Sequence, residues 1–478
     1  LHHEQQGNAT AAVQALNAAL DVDPGHVEAF SRIEQILYEA RAWSSLEENY
    51  HRMLKRLPKS MRKARVVLWH SLAELYTRVL QNHEGARIAY EVLHRLEPEN
   101  HAVTSALAER YGNVPDLRAK AAELYLGLLP VVDDPAEPAR SLFNLFFEMG
   151  ALDRAFCALG ALVLMGVADP TELKAHDGLL RFAPQGLSRA LTDSLWRERL
   201  LHEHCRNELA TVAAIVYRGA PSLFEGRRRA AGLKPRRERV DLGDTRKNAP
   251  ARLRFFDVWS RLQKVMHVPE AELYLRPQGL EAPVLLPGST PALLAGRQHG
   301  IFATASLRRV AFTLSRQMAL ARPELALMGA LDPEDVAACL EGALRLVVPG
   351  GSGIDLGAPK SEIERWEKLL GRTMRDASRA ALAEPARAVV DRRLMKVLAR
   401  YLRGVEHTVN RAAVLVSGDV QTAALGLDET EPVVPDVSHR ARVRELMLFV
   451  LGLDHFELRE KLGARLERQA DEAIRQRP

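Results

Sequence analysis

Cysteine is scarce in this chain: there are three in 478 residues, Cys157, Cys205 and Cys339, far apart and never in a CxxC pair. That spacing excludes a disulfide framework and a zinc knuckle. It fits a reducing compartment, so a cytoplasmic location is expected. Aromatic residues are also few, 6% of the chain against 47% hydrophobic residues overall, which leaves most of the core to aliphatic and small side chains. No apolar run reaches membrane-spanning length; the longest clean one, residues 157–168, contains two glycines. Runs of one charge are missing too, with one exception. Residues 226–247 carry nine Lys or Arg (Arg227, Arg228, Arg229, Lys234, Arg236, Arg237, Arg239, Arg246, Lys247) against Glu238, Asp241 and Asp244. This segment is +6 in a chain of +5, so everything else sums to −1.

A basic run can dock on nucleic acid or on an anionic membrane. This one has no interleaved aromatics for base stacking, and Gly232, Pro235 and Gly243 interrupt any continuous basic helix. It reads as a solvated interdomain connector, with neither a nucleic acid nor a membrane expected as partner.

What the sequence does contain is a repeat. Pro24 and Pro58 lie one 34-residue period apart, and Phe30, Ile33, Leu37, Trp43, Leu46, Tyr50 and Met53 fill the apolar places of two helices between them. A third copy places Trp69, Leu72, Ala73 and Tyr76 on its first helix and Ala86, Tyr90, Leu93 and Pro98 on its second. A fourth uses Leu107, Ala108 and Tyr111, a turn at Gly112-Asn113, then Ala121, Tyr125 and Leu128, and a fifth spans residues 142–162. The first copy shows only a loop at Gly7-Asn8 and one helix, which reads as part of a longer array. Three- and four-residue spacing gives each helix one apolar stripe, and small Ala residues allow close approach of a pair. No pair buries its stripe alone, so neighbours must stack.

The period and signature resemble the tetratricopeptide repeat. The resemblance implies a mainly α fold opening with an α-solenoid. It also implies that the first helix of each unit lines a groove for a protein or peptide partner. Carried over, it puts Glu28, Ser31, Gln35, Tyr38, His70, Glu74 and Thr77 in that groove and Trp69 in the core between helices.

The repeat register is lost after residue 175. Residues 187–218 read as helical, and 255–265 as a helix. Three short stretches, 271–275, 282–286 and 291–295, separated by Pro277-Gln278-Gly279 and Pro287-Gly288-Ser289, read as a small antiparallel meander. Helices are expected over 306–321, 334–347, 361–382, 386–403, 404–416, 440–452 and 455–475. The domains expected are a solenoid over 1–175, a helical extension and basic connector over 176–250, and a mostly helical domain over 251–478.

The order of helix, small sheet and long helix over residues 250–420 resembles the zinc metallopeptidases with an HExxH helix, of the CAAX-prenyl-protease-like class. In that class two histidines one turn apart bind zinc, the intervening Glu is the general base, and a later helix supplies a third ligand. Here Ser315, Arg316 and Ala319 stand at the His, Glu and His places, and Glu406 at the third-ligand place. The resemblance therefore implies a pseudoenzyme with a degenerate former active site, no metal and no cofactor, in which Glu406 is paired with Arg316 or Arg411. Other candidates yield less. His202-Glu203-His204-Cys205 reads as surface histidines, since His202 and His204 fall on different sides of a helix. The stretch 349–353 is Gly-rich but lacks the Gly-Lys-Ser/Thr ending of a phosphate loop. The expectation is thus a non-enzymatic interaction scaffold. The alternatives are a hydrolase or peptidase with unrecognised active residues, or docking to nucleic acid or an anionic membrane through the basic run.

Overall fold

Apolar residues at three- and four-residue spacing become helices throughout, and the chain is mainly α. The computed structural model describes residues 4–240, 250–276, 282–296, 306–348, 353–390 and 393–466. Its internal contacts divide the chain into two units, residues 1–149 and 150–478.

The first unit holds α1 (Glu4–Val22), α2 (Val27–Glu39), α3 (Trp43–Arg56), α4 (Arg62–Glu74), α5 (His83–Leu96), α6 (His101–Gly112), α7 (Arg118–Leu128) and α8 (Ala136–Glu148). Each packs mainly on its neighbour in sequence. Most of the stripe residues read from the sequence are buried: Phe30, Ile33 and Leu37 on α2, Leu46, Tyr50 and Met53 on α3, Leu72 and Ala73 on α4, and Ala86 and Leu93 on α5, whereas Trp43, Trp69 and Tyr90 are only partly buried. Asn82 and Asn100 accept from the backbone N–H of Gly85 and Val103 and so start α5 and α6. Gly7 and Asn8 do not form the expected loop; they lie inside α1.

The third copy carries one residue more than the second between corresponding core places: 16 positions separate Phe30 from Leu46, and 17 separate Trp69 from Ala86. A single π-turn over Leu75–Val79 absorbs it, with the N–H of Leu80 donating to the carbonyl of Leu75 at 2.9 Å.

The second unit begins with α9 (Leu152–Leu164) and α10 (Pro170–Leu180), so helices read from the sequence as the end of the repeat array group with the C-terminal residues instead. The reason is burial: residues 155–162 of α9 are enclosed on every side, packed by α10 and by helices more than 250 residues away. Next come α11 (Asp193–Leu195) running into a π-turn (Trp196–Leu200), a 3-10 turn (Glu203–Cys205), α12 (Glu208–Gly219), α13 (Gly226–Ala231), α14 (Pro235–Glu238) and α15 (Pro250–Val265). Beyond the strands lie α16 (Leu307–Ala319), α17 (Ala326–Ala330), α18 (Pro333–Val347), α19 (Lys360–Thr373) and α20 (Asp376–Val390). The last are α21 (Leu394–Ser417), α22 (Val420–Glu429), α23 (His439–Leu451) and α24 (Leu453–Lys461). Residues 394–417, expected as parts of two helices, form one, and 361–382 is split at residues 374–375. The expected extension to 475 and most of the Gly-rich stretch, residues 349–352, lie outside the described residues.

The sheet is mixed, which corrects the expected antiparallel meander. Strands β1 (Glu272–Arg276), β2 (Val284–Leu286) and β3 (Ala292–Gly296) are ordered β1-β3-β2, with β3 parallel to β1 and antiparallel to β2. Composition explains it: β3 is apolar on both faces and buried along its length, whereas Glu272 and Arg276 end β1. A strand with no polar face takes the centre of a sheet. The turn expected at residues 277–279 lies outside the described residues.

The basic run is not a free connector where it is described. Arg227 pairs with Asp332 at 2.7 Å, Arg228 with Glu272 at 2.7 Å and Arg239 with Glu272 at 3.3 Å. Val240 N–H donates to Leu273 on the edge of β1. These three guanidinium groups thus tie α13 and α14 to the sheet and to the start of α18. Asp241, Gly243, Asp244, Arg246 and Lys247 lie outside the described residues. No helix among the described residues is long and apolar enough to cross a membrane.

Candidate functional site

In the second unit, α16 and α21 pack along their lengths and bring together two residues 90 positions apart. Arg316 Nη2 donates to Glu406 Oε1 at 2.8 Å, with the side chains 3% and 0% exposed. Arg316 Nε donates to Asn410 Oδ1 at 2.9 Å and its Nη1 to the Glu431 carbonyl at 3.0 Å. Asn410 Nδ2 donates to Glu406 Oε1 at 2.9 Å, and the backbone N–H groups of Val433 and Val434 donate to Oε2 at 2.6 and 3.4 Å. A carboxylate has about four acceptor positions, and these four donors occupy them. Burial works to raise the Glu406 carboxyl, but Arg316 and the hydrogen bonds outweigh it and hold it below the usual range.

The Arg316 partner expected for Glu406 is therefore present, whereas Arg411 goes elsewhere, to Glu445. Ser315 is fully buried and does not join the network; its hydroxyl turns back to the Ala311 and Phe312 carbonyls of its own helix. Ala319 is buried one turn on. Asn410 sits one turn after Glu406 on the same helix, a spacing open to sequence reasoning. The N–H donors of residues 433–434 come from a loop that had no signal. Beside the network is a cavity of about 250 Å³ whose walls include Arg227, Leu285, Arg316, Gln317, Met328 and Val433.

The histidine segment is not a surface helix. His202 and Cys205 are buried around the 3-10 turn, and the rings of His202, His204 and His407 gather with centroids 4.5 Å (His202–His204) and 5.0 Å (His202–His407) apart. Glu445 lies 3.9 Å from His202 Nε2 and 3.7 Å from His407 Nδ1. The His204 N–H donates to His202 Nδ1 at 3.1 Å, which puts the His202 proton on Nε2 and leaves no lone pair there for a ligand bond. Among the described residues no three His, Cys, Asp or Glu converge so as to hold a metal ion. Burial, with Arg411 next, pushes His202 down to about 2, and burial pushes His407 down to about 4. Glu445 is raised by its burial, against Arg411.

In the first unit the carried-over face is on the surface. Glu28, Ser31, Gln35 and Tyr38 are exposed along α2, with Tyr38 63% exposed, while Ala29, Phe30, Ile33 and Leu37 alternate with them in the core. On α4 and the π-turn, Glu74 and Thr77 are exposed and His70 is half-buried against Glu97 at 3.0 Å. Thr77 Oγ1 accepts from Arg110 at 3.3 Å. The two sets occupy separate helices. Trp69 is only half-buried, packed against the core, and its indole N–H has no hydrogen-bond partner among the described residues.

Compared with known proteins, the chain matches no family model, no curated protein and no solved structure.

Proposed function

We propose that this protein is an interaction scaffold: a tetratricopeptide-like helical array in the first unit that holds a protein or peptide partner, joined to a metallopeptidase-like unit that does not catalyse. The observation that carries the first half is the two-sidedness of α2. Its inner row is apolar and closed, and its outer row offers Glu28, Ser31, Gln35 and an exposed aromatic, Tyr38. An exposed tyrosine is the element that favours a contact surface here, since rigid amphipathic rings give large contact area at low entropic cost.

The second half rests on Glu406. Were this a metal ligand, it would need a free lone pair and partners of like kind; instead its acceptor positions are taken by Arg316, Asn410 and the backbone of 433–434. A guanidinium 2.8 Å from the carboxylate occupies with a fixed positive charge the place where a cation would sit.

The reading is tested by capture of partners from native lysate with the whole chain and with Tyr38→Ala and Glu28→Lys variants that stay fully folded at the capture temperature. Loss of one captured species in both variants supports it. A capture pattern indifferent to both variants, or stoichiometric zinc in the purified protein accompanied by chelator-sensitive peptide cleavage, overturns the corresponding half.

A further inference from the structure

The junction of α3, α4 and α5 contains a cavity of about 360 Å³ that the Glu28–Tyr38 row does not use. That volume is at the low end for ligand sites, suited to one side chain and not to a cofactor. Its walls are His51 from α3, Trp69 from α4, Tyr76 from the π-turn, and Glu84, Gly85 and Ile88 from α5, with Asn82 at the cap. Three of these are aromatic rings. His51 and Trp69 stand at 80° to each other with centroids 6.5 Å apart, forming a corner. Tyr76 OH donates to Glu47 Oε1 at 2.7 Å, so its contact with His51 Nε2 at 3.0 Å is one in which the imidazole donates.

The lining has a definite charge character. Among the described residues that line it are Glu84 and no Lys or Arg, and a second carboxylate, Glu47, stands behind the phenol. Arg87 is nearest to Glu84 at 3.7 Å but is also bonded to Glu91, and the Glu84 side chain stays 78% exposed. Ile88 adds an apolar wall and is 43% exposed. Among the described residues the Trp69 N–H has no acceptor, and it is shielded from solvent. The backbone is special here as well: the π-turn that presents Tyr76 breaks the regular helix at this place, and such bulges gather at functional sites.

We infer that this cavity is a recognition pocket for a basic side chain, arginine or lysine, on an extended segment of a partner protein. Aromatic faces attract a cation, Glu84 and Glu47 supply the opposite charge, and Ile88 receives the aliphatic stem. The inference rests on the partner-binding reading of the first unit but on different residues.

The test uses the whole chain and two acetylated, amidated alanine-based hexapeptides that differ only in a central Arg or Gln, titrated by calorimetry. The Arg peptide is expected to bind roughly tenfold tighter than the Gln peptide, with affinity falling as salt rises. Glu84→Gln removes roughly three- to fivefold of the Arg-peptide affinity and leaves the Gln peptide unchanged. Trp69→Phe, which keeps a ring but one that attracts a cation less strongly, weakens the Arg peptide alone. Equal binding of the two peptides, absence of binding by both, or Arg-peptide affinity indifferent to Glu84→Gln and Trp69→Phe overturns the inference. Tyr38→Ala separates the two readings. If it abolishes partner capture while the Arg peptide fails to bind, the scaffold reading stands and the pocket falls. If the Arg peptide binds through Glu84 while capture ignores Tyr38, the pocket stands and the Glu28–Tyr38 face falls.

Discussion

Arg316 and Glu406 form a hydrogen-bonded ion pair at 2.8 Å across the α16–α21 contact, with both side chains withdrawn from water. Such a pair is weak evidence of net stability, because desolvating two charges offsets most of their attraction. Removing one partner is different. Glu406→Ala strands the Arg316 guanidinium and is expected to cost about 3–5 kcal/mol, read as a lower urea midpoint for the second unit. Adding Arg316→Met to Glu406→Ala is expected to restore part of that loss. Equal midpoints for Glu406→Ala and the wild type would refute the pairing as a structural determinant.

Stability should fall with acid ahead of the carboxylate range. His202 and His407 are held down to about 2 and about 4 in the folded chain, against about 6.5 when unfolded. Below pH 6.5 the unfolded state therefore binds more protons, and each histidine removes about 1.4 kcal/mol per pH unit, His407 down to about pH 4. His455, held down to about 3 by burial, has the same sign. Glu445, raised by burial, opposes it. Comparing unfolding of the wild type and His202→Gln/His407→Gln between pH 7 and 4.5 isolates the two histidines. The double variant should show the shallower loss.

Trp69 and Tyr38 separate core from surface in the first unit. Trp69→Ala is expected to cost on the order of 2–3 kcal/mol, below the 3–5 kcal/mol of a fully enclosed ring because Trp69 is half-buried. Tyr38, exposed and in contact edge-to-face with Trp43 at 5.1 Å, should cost about 1 kcal/mol or less on Tyr38→Ala. Thermal unfolding of both variants checks the order; the reverse ranking would place the repeat register on the wrong face.

Gly426 is where α22 meets α16. A Cβ there would lie 2.3 Å from Phe312 Cε1, and Phe312 is fully buried. Gly426→Ala should therefore destabilise by about 1–3 kcal/mol, despite the helix propensity that alanine gains over glycine. A Gly426→Ala variant more stable than the wild type would mean the ring has room to move.

The sequence by itself determined the helical class, the 34-residue pattern, and most of the side chains of α2 to α5 that are inside, with Trp43, Trp69 and Tyr90 only partly so, because a three- and four-residue spacing sorts faces without reference to any other part of the chain. It also brought Arg316 and Glu406 onto one page, through a resemblance and not through periodicity. Asn410 was within reach as the next turn of the same helix. The tertiary structure alone decided the rest. Strand order in the sheet depends on which strand has no polar face to give to solvent, and β3 took the centre only in competition with β1 and β2. Residues 152–164 carry a repeat-like stripe, yet they belong to the second unit because α22 and α23 close over them. His202 looked like a surface residue until α21 brought His407 beside it. In each case the missing information was a contact between residues far apart in sequence, whose strength comes from burial, and burial is a property of the assembled fold.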